Sequence, residues 1–229
     1  EQRKRSEKQA MLGGMLSTVI HDMKSPLSGV SGFVQLIRRR STDERIHEFC
    51  ETISQALARI ERMNGELLLF VRGDAIALNK SQFSLPEMLR ELTDLFGEKA
   101  RNRGVDLRLT CPNDFTITAD RDRLLRAITN LVSNAIEAID TAGEVHVEAE
   151  AQAQSDRPGI AIRVCDNGRG IPSQVKDSLF EPFVTHGKKD GTGLGMNIAK
   201  TIIELHKGTI RLQSCLGKGT TAQVWLPTV

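Results

Sequence analysis

Residues 166–172 read Asp-Asn-Gly-Arg-Gly-Ile-Pro and directly follow the strand-like run Ile160–Cys165. A carboxylate at the end of a strand can accept a hydrogen bond from an exocyclic amine, such as that of adenine. Gly168 and Gly170 carry no side chain, so the backbone beside Asp166 can approach a flat ligand closely. The same pattern also occurs in plain tight turns, so the segment indicates a ligand site only together with others.

A second glycine segment, residues 191–195, reads Gly-Thr-Gly-Leu-Gly and leads into the predicted helix Met196–His206. The exposed N–H groups at a helix N-terminus favour phosphate oxygens. The segment differs from the dinucleotide-binding glycine fingerprint, because residue 196 is Met and no strand directly precedes it. The sequence also lacks the GxxxxGK[ST] phosphate loop.

Two amides, Asn130 and Asn134, are four residues apart and therefore share one face of the predicted helix Arg121–Ile139. An amide oxygen can ligate a hard cation such as Mg²⁺, which often takes one or two protein ligands beside phosphates and waters. The alternative is that one asparagine caps a neighbouring backbone group.

Beyond residue 83, short strand-like runs alternate with helices, which predicts an α/β sandwich with one mixed sheet and helices on one face. The predicted strands are Val105–Leu109, Thr116–Thr118, Glu144–Ala149, Ile160–Cys165 and Thr220–Leu226. The predicted helices are Pro86–Ala100, Arg121–Ile139 and Met196–His206. We expect this domain to occupy residues 80–229.

Residues 1–75 are predicted to form a helical hairpin, because two apolar stripes recur there at helical spacing. Pro26 should kink the first helix, and Ser41 with Glu44 is a capping-box pattern for the second. Two helices alone bury only one seam, so we expect a homodimer with a four-helix bundle. The alternative is a monomeric hairpin docked on the second domain.

His21, in the first helix, is a candidate nucleophile, because a histidine with the usual pKa of about 6.5 is largely neutral at pH 7. Asp22 can reach its ring only through a bent rotamer, since adjacent helical residues point about 100° apart. The alternative is a solvated surface histidine.

Composition narrows the class of protein. The 229 residues carry a net charge of +2, and aromatic residues make up only 4%, so we expect no nucleic-acid partner. The four cysteines lie far apart, which favours a reducing cytoplasm over a zinc site or a disulfide scaffold. No apolar run reaches the roughly 18 residues of a membrane span. The charged N-terminus resembles the end of an upstream helix, so we expect a cytoplasmic fragment of a longer protein, without membrane contact.

Five segments follow the order and spacing of the sensor histidine kinases of two-component systems, which this chain resembles over nearly its whole length. HDMKSPL at 21–27 is similar to the family's phospho-acceptor box, and NLVSNA at 130–135 to its asparagine box. DNGRGIP at 166–172, FEPF at 180–183 and GTGLG at 191–195 resemble its first glycine, phenylalanine and second glycine boxes. The resemblance implies a Bergerat-type nucleotide fold for residues 80–229.

The resemblance also implies an activity: transfer of the γ-phosphate of ATP to His21, and then to an aspartate in the receiver domain of a response regulator. By position, Asp166 would bind the adenine amine, Asn134 would ligate Mg²⁺ and Asn130 would face the phosphates. Asp22 would orient the ring of His21 and raise its basicity.

The glycine segments and a lid of about residues 185–190 would complete the nucleotide site. Gly168 and Gly170 would line the base, and Lys188 and Lys189 would clamp the γ-phosphate electrostatically. The phosphates would be wrapped by Gly191, Thr192, Gly193, Leu194 and Gly195.

Two residues depart from the family pattern. Ser25 stands where the family usually has Thr or Asn to position a water, which predicts weak phosphatase activity toward the partner. The alternative is that Ser25 only caps the backbone group freed by Pro26. Glu137 stands where many members have a basic residue, which places more of the phosphate clamp on Lys188 and Lys189.

Two other functions remain open at this point. Gyrase-like, mismatch-repair and Hsp90-like ATPases share the glycine boxes, but they carry a glutamate general base where this chain has Asn130, and an amide is a poor base. The third possibility is a non-catalytic module that only dimerises and docks a receiver domain.

Overall fold

The computed structural model describes residues 26–72, 77–176, 178–185 and 192–228. The chain forms two compact units, Glu1–Ala75 and Ile76–Val229. Among the described residues, no helix combines the length and the apolar character needed to cross a membrane.

The first unit contains helix α1, which covers residues 26–40, and helix α2, Glu44–Arg72. Val34, Cys50 and Leu57 are buried, as the two apolar stripes predict. The predicted kink near His21 and Asp22 lies outside the described residues.

The predicted capping box of α2 is wrong. The helix begins one residue after Asp43, whose Oδ1 accepts a hydrogen bond from the Arg45 backbone N–H at 2.9 Å. The Asp43 carbonyl accepts the first helical hydrogen bond from His47 N at 3.1 Å. Ser41 Oγ instead accepts from Asp43 N at 3.1 Å. Asp43 is a strong N-cap residue placed closer to the helix, and it takes the role assigned to Ser41.

The second unit contains seven strands and four helices in its described part. The strands are β1 Ser81–Ser84, β2 Val105–Thr110, β3 Thr116–Ala119, β4 Gly143–Ala151, β5 Gly159–Asp166, β6 Thr209–Cys215 and β7 Gly219–Pro227. The helices are α3 Leu85–Asn102, α4 Arg121–Glu137, α5 Ser173–Lys176 and α6 Gly195–Leu205, and a 3₁₀ turn covers Ser178–Phe180.

Five of these strands form one sheet in the order β2-β4-β5-β7-β6, in which β2 and β4 are parallel and the other neighbours are antiparallel. Strands β1 and β3 form a separate antiparallel pair. Helix α3 contacts strand β2 of the large sheet, α4 contacts β4 and β5, and α6 contacts β6. The predicted α/β sandwich with a mixed sheet is therefore confirmed.

Register across the sheet places Asp166 on the side that α4 covers. Asp166 is paired with Val145 in β4 and with Thr220 in β7. Paired residues point to the same side of a sheet, as do alternate residues in a strand. Val145 and Val147 are fully buried, and α4 packs on both β4 and β5. The carboxylate therefore leaves the sheet at the end of β5, next to the helix layer.

A buried histidine joins the end of α6 to the start of α4. His206 Nε2 accepts a hydrogen bond from Asp120 N at 2.9 Å, and its Nδ1 donates to Ile202 O at 2.8 Å. Asp120 is the N-cap of α4, with Arg123 N at 3.2 Å from Oδ1 and Asn79 N at 3.0 Å from Oδ2. These bonds require the neutral imidazole, and burial lowers the pKa of His206 below its usual value.

We expect the second unit to lose stability as the pH falls below about 6.5, the usual pKa of histidine. The unfolded chain binds the proton first, because the folded pKa of His206 is lowered, so the free energy of unfolding decreases until the folded form is also protonated. For each unit by which the folded pKa of His206 is lowered, the free energy of unfolding decreases by about 1.4 kcal/mol at most. Urea unfolding followed by the fluorescence of Trp225, the one tryptophan of the chain, measures this unit.

The variant His206→Gln provides the control, because its amide oxygen can accept from Asp120 N but the side chain binds no proton near neutral pH. Its unfolding free energy should change less with pH between about pH 7.5 and 5. Identical slopes for the two proteins would show that His206 does not carry the pH dependence.

Candidate functional site

Helix α4 presents two of the predicted site residues on its outward face. The buried side of α4 consists of Leu124, Ala127, Ile128, Leu131, Val132, Ala135 and Ile136. Asn130 and Asn134 lie between these positions and are partly exposed. Both amides are therefore held on a rigid helix and face away from the sheet.

Asn130 links α4 to the second glycine segment. Its Nδ2 donates a hydrogen bond to the carbonyl oxygen of Gly195, the first residue of α6, at 3.1 Å. Leu194 is the N-cap residue of α6, and among the described residues its side chain makes no capping hydrogen bond. The first N–H groups of α6 therefore lie beside Asn130 and suit an anion.

Thr192 and Gly193 form the approach to this helix. Thr192 Oγ1 accepts a hydrogen bond from Leu194 N at 3.3 Å. The Gly193 carbonyl accepts from Phe183 N at 3.0 Å, which brings the phenylalanine segment against the second glycine segment. Lys188, Lys189 and Gly191 lie outside the described residues.

Asp166 is held by backbone donors on one oxygen only. Its Oδ1 accepts from Gly168 N at 2.9 Å and from Thr220 N at 3.2 Å. Among the described residues these are its hydrogen bonds, so Oδ2 is left to accept from a ligand. Burial raises the pKa of Asp166, while the two hydrogen bonds and the charge of Arg169 act in the opposite direction.

The two glycines after Asp166 are required by contacts within the protein. A Cβ atom at Gly168 would lie 2.5 Å from the carbonyl oxygen of Ala138, at the end of α4. Gly170 has a φ of +70°, and a Cβ there would collide with the carbonyl oxygen of Cys215. Both glycines were predicted to allow close approach of a ligand, whereas their direct effect in the structure is to let this turn pack against α4 and β6.

Helix α4 thus connects the turn at residues 166–170 with the start of α6. The turn after Asp166 contacts Ala138, which lies one helical turn beyond Asn134, and Arg169 N donates to the Ala138 carbonyl at 3.0 Å. At the other end of this face, Asn130 bonds to Gly195. The structure therefore assembles one polar surface from α4, the 166–170 turn and the start of α6. His21, Asp22 and Ser25 lie in the other unit and outside the described residues.

Two residues of this surface were missed in the sequence. Thr220 contributes a backbone N–H to Asp166, and Ser214 Oγ accepts from Ile171 N at 2.8 Å and donates to the Gly219 carbonyl at 3.0 Å. Thr220 and Ser214 reach the turn after Asp166 through the pairing of strands. Their spacing in the sequence therefore gives no sign of this contact.

Two family descriptions match the chain in succession. "His Kinase A (phospho-acceptor) domain" matches residues 11–76, and "Histidine kinase-, DNA gyrase B-, and HSP90-like ATPase" matches residues 119–229. The second description includes ATPases as well as kinases, so the first match separates this chain from those ATPases.

The sensor histidine kinases ZraS of Salmonella typhimurium and of Escherichia coli strain K12 are both 33% identical to this chain. The matches cover 99% of this chain and 48% of ZraS. The chain therefore spans about half the length of the curated relatives it matches.

Solved structures agree with the fold and the family. Full-length ShkA in complex with AMPPNP has a TM-score of 0.80 and 23% identity over 94% of this chain and 46% of ShkA, a likeness of fold. Histidine kinase ThkA in complex with response regulator protein TrrA has a TM-score of 0.67 and 29% identity, covering 100% of this chain and 65% of that one. The catalytic domain of ThkA has a TM-score of 0.59 and 33% identity over 66% of this chain and 97% of that domain.

The phospho-acceptor match precedes the ATPase match, and about two thirds of this chain matches nearly the whole ThkA catalytic domain at 33% identity. The chain therefore belongs to the sensor histidine kinases of two-component systems.

Proposed function

We propose that this chain transfers the γ-phosphate of ATP to its own His21 and then passes the phosphoryl group to an aspartate of a response regulator. The observation that carries this proposal is the polar surface that joins Asp166, α4 and the start of α6, in a chain whose other unit contains His21. The ThkA–TrrA complex supports a regulator as partner, since it holds a related kinase with a response regulator protein.

ATP fits the chemistry of this surface. The free Oδ2 of Asp166 accepts a hydrogen bond from the exocyclic amine of adenine, and the turn at Gly168 and Gly170 lies beside the base. The N–H groups at the start of α6 and the amide of Asn130 suit the phosphates. The phosphate-side residues in this proposal are Lys188, Lys189, Gly191, Thr192, Gly193, Leu194 and Gly195.

Mg²⁺ fits the same surface through Asn134. An amide oxygen on a rigid helix is a suitable ligand for a hard cation that keeps most of its other positions for phosphate oxygens and water. When bound, the ion neutralises charge that develops on the phosphates during transfer.

His21 acts as the nucleophile. A lone pair of its neutral imidazole forms a bond to the γ-phosphorus, the bond to the bridging oxygen breaks, and ADP leaves with that electron pair. Asp22 orients the ring and accepts a hydrogen bond from the protonated ring nitrogen, which stabilises the positive charge on the imidazole. In the second step, a carboxylate oxygen of the regulator displaces the histidine.

Ser25 follows His21 by four residues, one turn of the predicted helix, and can place a water for the reverse reaction, hydrolysis of the phospho-aspartate. Its hydroxyl lacks the methyl group that restricts a threonine rotamer. Small misplacements of a reacting water reduce rates strongly. We therefore infer that the regulator phosphatase activity is weak.

The hairpin unit functions as a homodimer in this proposal. Phe33, Phe49, Ile53 and Met63 have 68%, 65%, 43% and 42% of their surface exposed in the single chain. Apolar side chains of this size on both helices suit burial against a second hairpin in a four-helix bundle.

Incubation with ATP labelled in the γ-phosphate tests the function. A phosphohistidine is labile in acid and stable in alkali, so the protein should retain label after alkali and lose it after acid. Label that survives acid would indicate a phosphorylated hydroxyl, and absence of label on a folded protein would refute autophosphorylation.

A further inference from the structure

We propose that Lys99, from helix α3, supplies a positive charge to the phosphates of the bound nucleotide and that Glu137 positions it. The inference rests on the proposed ATP site and extends it to a residue outside the five sequence motifs. It also explains how the site accommodates an acidic residue one helical turn after Asn134.

Lys99 joins the outward face of α4 through two contacts. Its Nζ lies 2.8 Å from Glu137 Oε1 and 3.2 Å from Ser133 Oγ. Ser133 Oγ in turn donates to Glu137 Oε1 at 2.9 Å. The ammonium group also lies 6.0 Å from the centre of the Phe96 ring, a cation–π contact within α3. Glu137 and Ser133 therefore hold the lysine next to α4.

This cluster lies beside the residue proposed to hold Mg²⁺. At 3.6 residues per turn, Asn134 and Glu137 point about 60° apart around the helix axis. Ser133, Asn134 and Glu137 are all partly exposed, on the side of α4 that faces away from the sheet. A triphosphate that reaches Asn134 would therefore come close to the Lys99–Glu137 pair.

Charge gives the pair its function. A glutamate alone at this position would repel the phosphates, whereas the ammonium of Lys99 neutralises it and offers three hydrogen-bond donors. The Lys99 and Glu137 side chains are 41% and 29% exposed. The pair is thus accessible to solvent, and Lys99 can turn from Glu137 toward a phosphate oxygen without leaving a buried charge.

A double-mutant cycle tests the inference, with Lys99→Met, Glu137→Gln and the double variant. Affinities for ATP and for adenosine are measured by competition against a fluorescent nucleotide. Lys99→Met should weaken ATP binding by about five- to tenfold, because it removes one favourable charge and the ammonium group that contacts Glu137. Adenosine binding should not change, since adenosine carries no phosphate. In the double variant the loss for ATP should be smaller than in Lys99→Met.

Lys200→Met is the matched control. Lys200 also contacts a glutamate on the surface, Glu204 at 3.9 Å, also lies over a phenylalanine ring, at 5.5 Å, and its side chain is 42% exposed. This variant should bind ATP as the wild type does, and melting temperatures establish that all variants are folded.

Unchanged ATP affinity in Lys99→Met, or an equal loss for ATP and adenosine, would overturn the role of Lys99. If the double variant loses as much ATP affinity as Lys99→Met does, the positioning role of Glu137 would be overturned. A folded wild-type chain that binds no ATP would instead overturn the proposed function and this inference with it.

Discussion

Replacing His21 by glutamine is expected to abolish autophosphorylation, with no label detectable above background. Glutamine has a similar size, but its amide nitrogen has no available lone pair to attack phosphorus. ATP affinity should stay within about threefold of the wild type, because the residues proposed to bind the nucleotide belong to the other compact unit. Labelling with γ-labelled ATP and a separate binding titration measure the two quantities.

His47→Gln is the control for this experiment. His47 lies in the same hairpin, where its Nε2 donates to the carbonyl of Ser41 at 2.8 Å. Its replacement should leave labelling close to the wild-type level. Label retained by His21→Gln, or lost equally in both variants, would contradict the assignment of His21 as the phosphorylated residue.

Replacing Asp166 by asparagine is expected to weaken ATP binding by about ten- to a hundredfold. A charge-assisted hydrogen bond contributes roughly 1.5–3 kcal/mol, and the new amide nitrogen would meet the adenine amine as a second donor. The amide oxygen can still accept from Gly168 N and Thr220 N, which now bond to Oδ1. The turn should therefore remain folded while ATP binding weakens, a combination that calorimetry and thermal melting detect together.

Asp140→Asn is the control for this experiment, because it removes a nearby negative charge but not the proposed contact with adenine. Asp140 is an exposed carboxylate whose Oδ1 pairs with Arg169 at 2.9 Å, close to the same turn. Its replacement should change ATP affinity by no more than about threefold. Equal losses in the two variants would indicate a general charge effect and count against a direct contact between Asp166 and adenine.

The long elements of the fold were predictable because their patterns are local. The apolar spacing of α4 places it within two residues of its observed end, and the alternation in β4 and β5 identifies both strands. Strand β6, Thr209–Cys215, was missed; it begins after three connecting residues at the end of α6. Strand β1 is four residues long and mostly polar, and only pairing with β3 makes it a strand.

The motifs identified the polar surface, but they could not supply the reasons for its geometry. Gly168 looks like a residue reserved for a ligand, yet its nearest constraint is the Ala138 carbonyl, thirty residues earlier in the chain. The pairing of Lys99 with Glu137 joins two helices that are separated by β2 and β3. Contacts of this kind depend on the tertiary arrangement and leave no periodic signal in the sequence.

The hydrogen bond from Asn79 N to Asp120 determines where a separately expressed second unit should begin. Asn79 precedes β1, and its N–H is bound by the side chain that also caps α4. A fragment that begins at Ser81, the first strand residue, would cut away this donor, so Oδ2 of a nearly buried aspartate would keep its ion pair with Arg123 Nε at 3.3 Å but lose a hydrogen bond. An independently expressed ATP-binding piece should therefore start several residues before Asn79, even though the described residues 77–80 belong to no helix or strand.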